Sequence, residues 1–199
     1  MSRQKQGTNV VNDIVDFLFE LGQLKRTKRT GWWLINIKEP ESVAEHSFRA
    51  AFIGYILAKM ENSDPDKVIK MCLLQDICEA RIGDLNKVAQ RYINPKSAEI
   101  RALKEQLCKV PKEIAQEFET LFIEYHNDAS KEGIIARDAD LLECAFQAKE
   151  YKDFGHIEAE DWYNNAGSLL KTKSAKLIFK HMKKQNSTSW WHGLKEIKR

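Results

Sequence analysis

Leu73-Leu74-Gln75-Asp76-Ile77-Cys78-Glu79-Ala80-Arg81-Ile82-Gly83-Asp84 is the stretch that decides how this chain is read. Just before it, Asp64-Pro65 is a helix start, an N-cap acid followed by proline in the first turn. The helix it opens carries Val68, Met71, Cys72 and Leu74 towards Gln75, Asp76 and Glu79, and Gly83 marks its expected end. Glu79 falls three residues after Asp76 and four after Gln75, so the three are expected on one helical face. A carboxylate there can act as a general acid or orient a water. The plainer reading of Glu79 is a surface acid paired with a basic neighbour.

Working outward, helical periodicity dominates and strand-like alternation is almost absent. Asn9 to Leu24 sets Val10, Ile14, Phe17, Leu18 and Leu21 on one face. A loop from Lys25 to Ser42 precedes a helix over Val43 to Met60, with apolar residues at Phe48, Phe52 and Ile56. Beyond Gly83 come a loop around Tyr92 to Lys96, a helix with Ile100, Leu103 and Leu107, and one opened by Pro111 through Phe118, Leu121 and Phe122. A long helix over Glu132 to Phe154 stops at Gly155, and shorter ones follow over Asp161 to Leu170 and Ser174 to Lys184. The expectation is an all-α helical bundle. One domain over residues 1–199 is expected, its core about residues 9–170 and its C-terminal helices within 171–199.

Composition narrows the class without naming it. The chain has 199 residues, 43% of them hydrophobic and 31% charged, as in ordinary soluble globular proteins. A net charge of +3, with basic residues scattered rather than clustered, argues against nucleic acid as a partner. The exceptions are Lys25-Arg26-Thr27-Lys28-Arg29 and the lysine-rich C-terminal part, read as a solvated helix face. No apolar run approaches the roughly 20 residues that span a bilayer, so no membrane segment is expected. Met1 to Gly7 are polar and lack the apolar run of a secretory signal. Cys72, Cys78, Cys108 and Cys144 show no C-x-x-C pairing and lie in apolar helical stretches, which suits reduced core thiols in a cytoplasmic or nuclear protein.

The chemistry-bearing residues lie on separate helices. His46, Asp76 and Asp140 each fall on a different one, the way a bundle aims ligands into one cavity. An imidazole nitrogen and two carboxylates suit Mn²⁺, Co²⁺, Fe²⁺ or Zn²⁺ and tolerate Mg²⁺. A lone helical His is more often structural than a ligand, so His46 gains weight only from its surroundings. His126, at the C-terminal end of a helix, is read as capping carbonyls rather than ligating. Arg49, one turn beyond His46, is expected to pair with Glu45 across i, i+4. Trp190 and Trp191 are expected to fold back on the core or on a subunit partner.

The strings around these residues resemble the HD-domain phosphohydrolases, and within them the 5′-deoxynucleotidases of the bacterial YfbR type and their eukaryotic relatives. Leu24 to Trp32 and Pro40 to Ser47 look like the family's opening, residues 73–84 like its central His-Asp helix, and Asp138-Ala139-Asp140 like its last ligand. The resemblance covers roughly residues 9 to 170, and its motifs occur in the family's order and spacing.

Position by position, the resemblance implies His46, Gln75, Asp76 and Asp140 as the metal positions, Glu79 as the catalytic acid, and Arg29 as the phosphate contact. It also implies Trp32 near the sugar, where a 2′-hydroxyl would be disfavoured; the plainer reading of Trp32 is a core indole. Asp84 would hold the nucleophilic water or a substrate hydroxyl, or else cap a turn.

Gln75 departs from the pattern, standing where the family has His. Three readings are open: an enzyme with altered metal preference, a naturally silenced one, or a substitution made to trap a complex. A neutral amide oxygen is a hard, weak donor better matched to Mg²⁺, Ca²⁺ or Mn²⁺. The expected function is metal-dependent removal of phosphate from nucleoside 5′-monophosphates, favouring deoxyribonucleotides, with a homodimer as the assembly. The alternative is a catalytically silent HD domain that binds nucleotide or a protein partner. Hydrolysis of a triphosphate or cyclic dinucleotide would need further basic residues around the pocket.

Overall fold

A computed structural model describes residues 2–194, with side chains from Val10 onwards. The expected C-terminal segment beyond 194 lies outside the described residues. In chain order the helices are α1 (Ser2–Leu21), α2 (Val43–Met60), α3 (Pro65–Leu74), α4 (Glu79–Ile82), α5 (Lys87–Gln90), α6 (Lys96–Leu107), α7 (Lys112–His126), α8 (Lys131–Asp153), α9 (Ala159–Leu169) and α10 (Lys173–Met182). Short 3-10 turns lie at Gly22–Lys25, Thr30–Ile35 and Ser189–Trp191. Extended pairing among the described residues is one isolated bridge, Lys28 to Ser42.

α8 is the axle. It packs along α2, α3 and α9, and α7 lies against α3 and α8. Its inner residues, Ile135, Ala136, Ala139, Leu142, Ala145 and Ala148, are all fully buried, and the alanines let neighbouring backbones come close. The α2–α3 contact depends on Gly54, where a Cβ would meet Cys72 Sγ at 2.8 Å and Val68 Cγ1 at 2.9 Å. Four of the longer helices start on a side-chain cap. Ser42 and Glu45 form a capping box at α2, Asp64 caps α3, Ser130 caps α8 and Thr172 caps α10.

Several expectations need correction. The helix opened by Asp64-Pro65 does not run unbroken to Gly83. It ends at Leu74, and residues 75–78 form a turn before α4. Hydrogen bonds there close over three residues, Ile77 N–H to Leu74 O at 3.3 Å and Glu79 N–H to Asp76 O at 3.0 Å. In that tighter winding residues i and i+3 eclipse, which aligns Asp76 with Glu79 more closely than an α-helix would. Gly83 does end the segment, at φ 74°.

The apolar residues read for α2 face outward: Phe48 is 65% exposed and Phe52 60%. The buried side is the small and polar one, Val43, His46, Ser47, Ala50, Ile53, Gly54, Leu57 and Ala58. Likewise only Phe17 of the α1 stripe is buried, whereas Val10 and Leu18 are exposed. Cys108 is exposed rather than a core thiol. Trp190 and Trp191 do not bury themselves; Trp190 is 74% exposed. Period alone marks an amphipathic face but not which neighbour covers it.

Candidate active site

The capping box at the start of α2 fixes where His46 points. Ser42 N–H donates to Glu45 Oε2 at 2.6 Å, and Glu45 N–H donates back to Ser42 Oγ at 3.2 Å. Glu45 is thereby spent on the cap, so the expected Arg49–Glu45 pair does not form. Arg49 instead reaches across to α8, donating to Glu143 Oε1 at 2.8 Å, Gln147 Oε1 at 2.8 Å and Glu150 Oε1 at 2.6 Å.

One turn into α2, the buried His46 ring is held at both ends. Nδ1–H donates to Glu143 Oε2 in a short hydrogen bond. Nε2 faces Asp140 Oδ1 at 3.2 Å, Asp76 Oδ2 at 3.6 Å and Gln75 Nε2 at 3.2 Å. So the structure brings together His46 from α2, Asp140 from α8, and Gln75 and Asp76 from the turn between α3 and α4. Tyr125 at the end of α7 donates to Asp140 Oδ2 at 3.1 Å. Asp138, two residues before Asp140, faces elsewhere. It accepts from Lys171 N–H, Thr172 N–H and the Thr172 hydroxyl ahead of α10.

Arg29 closes the other side, its Nη1 lying 3.7 Å from Asp76 Oδ2. Its loop is laced to the α2 entry by Arg29 N–H to Glu41 O at 3.0 Å and Val43 N–H to Thr27 O at 2.9 Å. It is laced to the far end of α4 through Asp84, whose Oδ2 accepts from Thr30 N–H at 2.6 Å and the Thr30 hydroxyl at 2.8 Å. Trp32 is buried behind this loop against Tyr151 and Trp162, and its indole N–H donates to Glu41 Oε1 at 3.1 Å. Its ring therefore stands in the core, one layer back from the carboxylates.

Charge in the cavity is set by burial first and by neighbours second. Glu79 is pushed up to about 10, by burial and then by the Asp76 and Asp84 carboxylates, so it is neutral at pH 7. Burial and the nearby Arg29 both work against a charged His46, yet Glu143 and Asp140 outweigh them and raise it to about 10. Asp140 and Glu143 are held below the usual carboxylate range; burial opposes this in both, and His46 overcomes it. Burial raises Asp76, with His46 and Arg29 pulling the other way. Burial likewise disfavours the Arg29 charge, but Asp76 and Asp140 more than restore it. His126 is pushed down to about 4 by burial and then by Arg137, against a hydrogen bond to the Gln75 backbone, so it is neutral beside the turn that carries Gln75.

The donor set fits a divalent cation. Gln75 Oε1 is a buried acceptor with no hydrogen-bond partner among the described residues. A half-turn of its carboxamide exchanges Nε2 for Oε1, so the side chain can offer an oxygen where Asp76, Asp140 and His46 Nε2 converge. Glu41, His46 and Glu143 form a second triangle, with ligand atoms within 4.8 Å of one another. That triangle is a poorer cation site, because Nδ1 is spent on Glu143 and the Arg49 guanidinium lies 2.7 Å from Glu143 Oε1.

The sequence profile of the HD domain matches residues 21–182. The chain belongs to the HD domain family. It is 28% identical, over 88% of its length and 87% of the relative's, to the human 5′-deoxynucleotidase HDDC2. The Dictyostelium discoideum 5′-deoxynucleotidase HDDC2 is 32% identical, over 73% of this chain and 81% of that one. A solved structure of a conserved hypothetical protein from Pyrococcus furiosus superposes with a TM-score of 0.73 at 32% identity, covering 86% of this chain and 99% of that one.

Reasoning from the sequence missed Glu143, the HD-domain residue that orients His46 here. Its signal was present: a lone acid among Leu141, Leu142, Cys144 and Ala145, one turn beyond Asp140. Charged residues are almost never fully buried unless paired, so an acid inside an apolar helix face announces a partner.

Proposed function

We propose that this HD-domain protein removes phosphate from deoxynucleoside 5′-monophosphates, with a divalent cation held by His46, Asp76 and Asp140 and completed by Gln75. The observation that carries this is the meeting of Asp76, Asp140 and His46 Nε2 beside the half-buried Arg29. When bound, such a cation polarises the phosphoryl oxygen and lowers the pKa of a water.

The chain's own residues supply the rest. Arg29 offers a guanidinium fork to the phosphate. Glu79, whose burial beside Asp76 and Asp84 favours its protonated form, is the carboxyl that would pass a proton to the departing 5′-oxygen. Asp84 keeps the Arg29 loop in place through Oδ2, and Oδ1, unused in those bonds, would hold a water or substrate hydroxyl. Trp32, one layer back, stiffens the loop that carries Arg29, and through that loop would limit the room for a 2′-hydroxyl.

The oxygen of Gln75 shifts the expected cation towards Mn²⁺, with Mg²⁺ next, and away from Co²⁺, Fe²⁺ and Zn²⁺. We further propose that the whole chain is one HD domain acting on a small nucleotide and not on nucleic acid. Two copies would meet through the exposed α2 residues Phe48, Phe52 and Ile56, which lie on one face of that helix. Among the described residues no helix is long and apolar enough to cross a membrane. The four cysteines are all unpaired, which suits a reducing compartment, cytoplasm or nucleus.

A second reading is favoured by Gln75 alone. In its present orientation its amide nitrogen lies against the His46 nitrogen a cation would use, as in a silent domain that binds nucleotide without hydrolysing it. Phosphate release from a panel of deoxy- and ribonucleoside 5′-monophosphates, with Mn²⁺, Co²⁺ and Mg²⁺, decides between them when run on this chain and on Gln75→His. Turnover by both, with Mn²⁺ preferred by the parent, is the expected result. Turnover by Gln75→His alone makes this chain a silenced form, and turnover by neither removes the nucleotidase reading.

A further inference from the structure

The His46 ring is held from behind by a chain of contacts that leads out to the surface. Glu143, fully buried, spends Oε2 on His46 Nδ1–H. Its Oε1 receives Arg49 Nε at 2.8 Å and Arg49 Nη2 at 2.7 Å. Arg49 is in turn fixed by Gln147 Oε1 at 2.8 Å and Glu150 Oε1 at 2.6 Å. His46 and Arg49 lie three apart on α2, and Glu143, Gln147 and Glu150 follow the i, i+4, i+7 spacing of one α8 face. Every guanidinium nitrogen of Arg49 thus has an α8 partner. The helix pair is locked in register at the point where the imidazole projects.

We propose that Arg49, acting through Glu143, is the positioning device for His46: it fixes which ring nitrogen faces Asp76 and Asp140 and how the ring is turned. A carboxylate accepts only, so Glu143 forces the proton onto Nδ1 and leaves Nε2 for the cavity. It also makes the ring a stronger donor to a cation, the general consequence of a carboxylate behind a ligating histidine. Without Arg49, Glu143 would be an uncompensated buried charge, free to drop its bond to the ring and seek water. The outer end of this chain is reachable. Arg49 lines a surface pocket with Glu41, Glu45, Phe48, Phe52 and Gln147, so it can be altered without touching the cavity.

This inference rests on the metal reading above, and its test separates the two. Mn²⁺ affinity is measured by titration calorimetry on the parent, Glu143→Gln, Arg49→Ala and the double variant, with thermal melts alongside. Glu143→Gln should weaken Mn²⁺ by about 10–100-fold, the usual cost of losing such a partner. Arg49→Ala should weaken it in the same direction. The double variant should bind no worse than Glu143→Gln, because both act through one carboxylate. At saturating Mn²⁺ the KM for substrate should be unchanged, since Arg29 is untouched.

If Glu143→Gln melts like the parent and binds Mn²⁺ within about twofold of it, the positioning role is overturned and the contacts are only a staple between α2 and α8. If Glu143→Gln does not fold, Arg49→Ala decides, because it removes the charge that holds Glu143 in place; parent-like Mn²⁺ affinity there overturns the proposal. A parent that binds no Mn²⁺ overturns the metal reading, and the positioning role with it. A parent that binds alongside unaffected variants overturns the positioning role alone.

Discussion

The two ends of the His46 imidazole meet opposite surroundings. Behind Nδ1, the Glu143 carboxylate is matched by the Arg49 guanidinium at 2.7 Å, so the charge there is closed off by residues already present. Ahead of Nε2, Asp76 and Asp140 converge, with Arg29 3.7 Å from Asp76 and Arg137 also acting on Asp140. Two half-buried carboxylates sharing a site cannot both be charged cheaply without more positive charge. In the protein as it stands His46 supplies it, raised to about 10 and so carrying a proton towards Asp140. A ligating nitrogen must give that proton up, so a divalent cation takes over the compensation that the imidazolium provides. The closed end is built to stay as it is, and the open end is built to exchange one positive charge for another.

Removing charge from the open end should therefore have the largest effect. Asp140→Asn leaves the Tyr125 contact an acceptor oxygen but takes away a carboxylate. Mn²⁺ binding should fall below detection in calorimetry, and phosphate release should drop by at least about 100-fold, more than loss of a partner behind the ring would cause. If Asp140→Asn binds Mn²⁺ like the parent, the two ends do not differ as described. Arg29→Lys comes next. It retains the charge beside Asp76 but loses the fork, so KM should rise roughly tenfold, about 1.4 kcal/mol. Its Mn²⁺ affinity should stay that of the parent. A change in Mn²⁺ affinity without a change in KM would assign Arg29 to the cation rather than to the phosphate.

Much of this contrast is legible in the amino-acid sequence. The order His46, Asp76, Asp140 and the helices that carry them follow from periodicity and from cap signals such as Asp64-Pro65 and Gly83. What escaped were features that depend on pairing across the bundle. Arg49 was assigned to Glu45 because i, i+4 neighbours can be read along one helix, whereas Glu143 lies on another and Glu45 is already used by Ser42. The same blindness misplaced Phe48 and Phe52. An apolar face can be recognised from spacing, but α8 accepted the alanine and glycine side of α2 because small residues let the two helices approach. The turn at 75–78 escaped because nothing in its composition breaks a helix; only its hydrogen bonds reveal it.

A third ionic group, away from both ends, sharpens the comparison by its smallness. Glu20 of α1 accepts from Arg81 beyond the site turn, with Arg81 Nη2 to Glu20 Oε2 at 3.1 Å, and from Lys109 Nζ at 2.8 Å. The Arg81 contact above all holds its carboxyl down to about 2 from the usual 4.5. A carboxyl lowered by folding contributes stability that is present above its unfolded value and is lost as pH falls towards the folded one. Protection of the amides in the C-terminal turns of α1, taken relative to the intrinsic exchange rate at each pH, should therefore fall as pH falls from 4.5 towards 2. Glu20→Gln should produce the same loosening at pH 7. Pairs near the surface are worth about 1 kcal/mol or less, so the melting temperature should move by only a few degrees. Phosphate release and Mn²⁺ affinity should stay within about twofold of the parent, since these partners touch neither end of His46. A larger loss of Mn²⁺ affinity in Glu20→Gln would mean that Arg81 transmits the position of α1 to Asp76 through the turn it follows. The open end would then have a support of its own, and the asymmetry between the two ends of the ring would be one of distance rather than of kind.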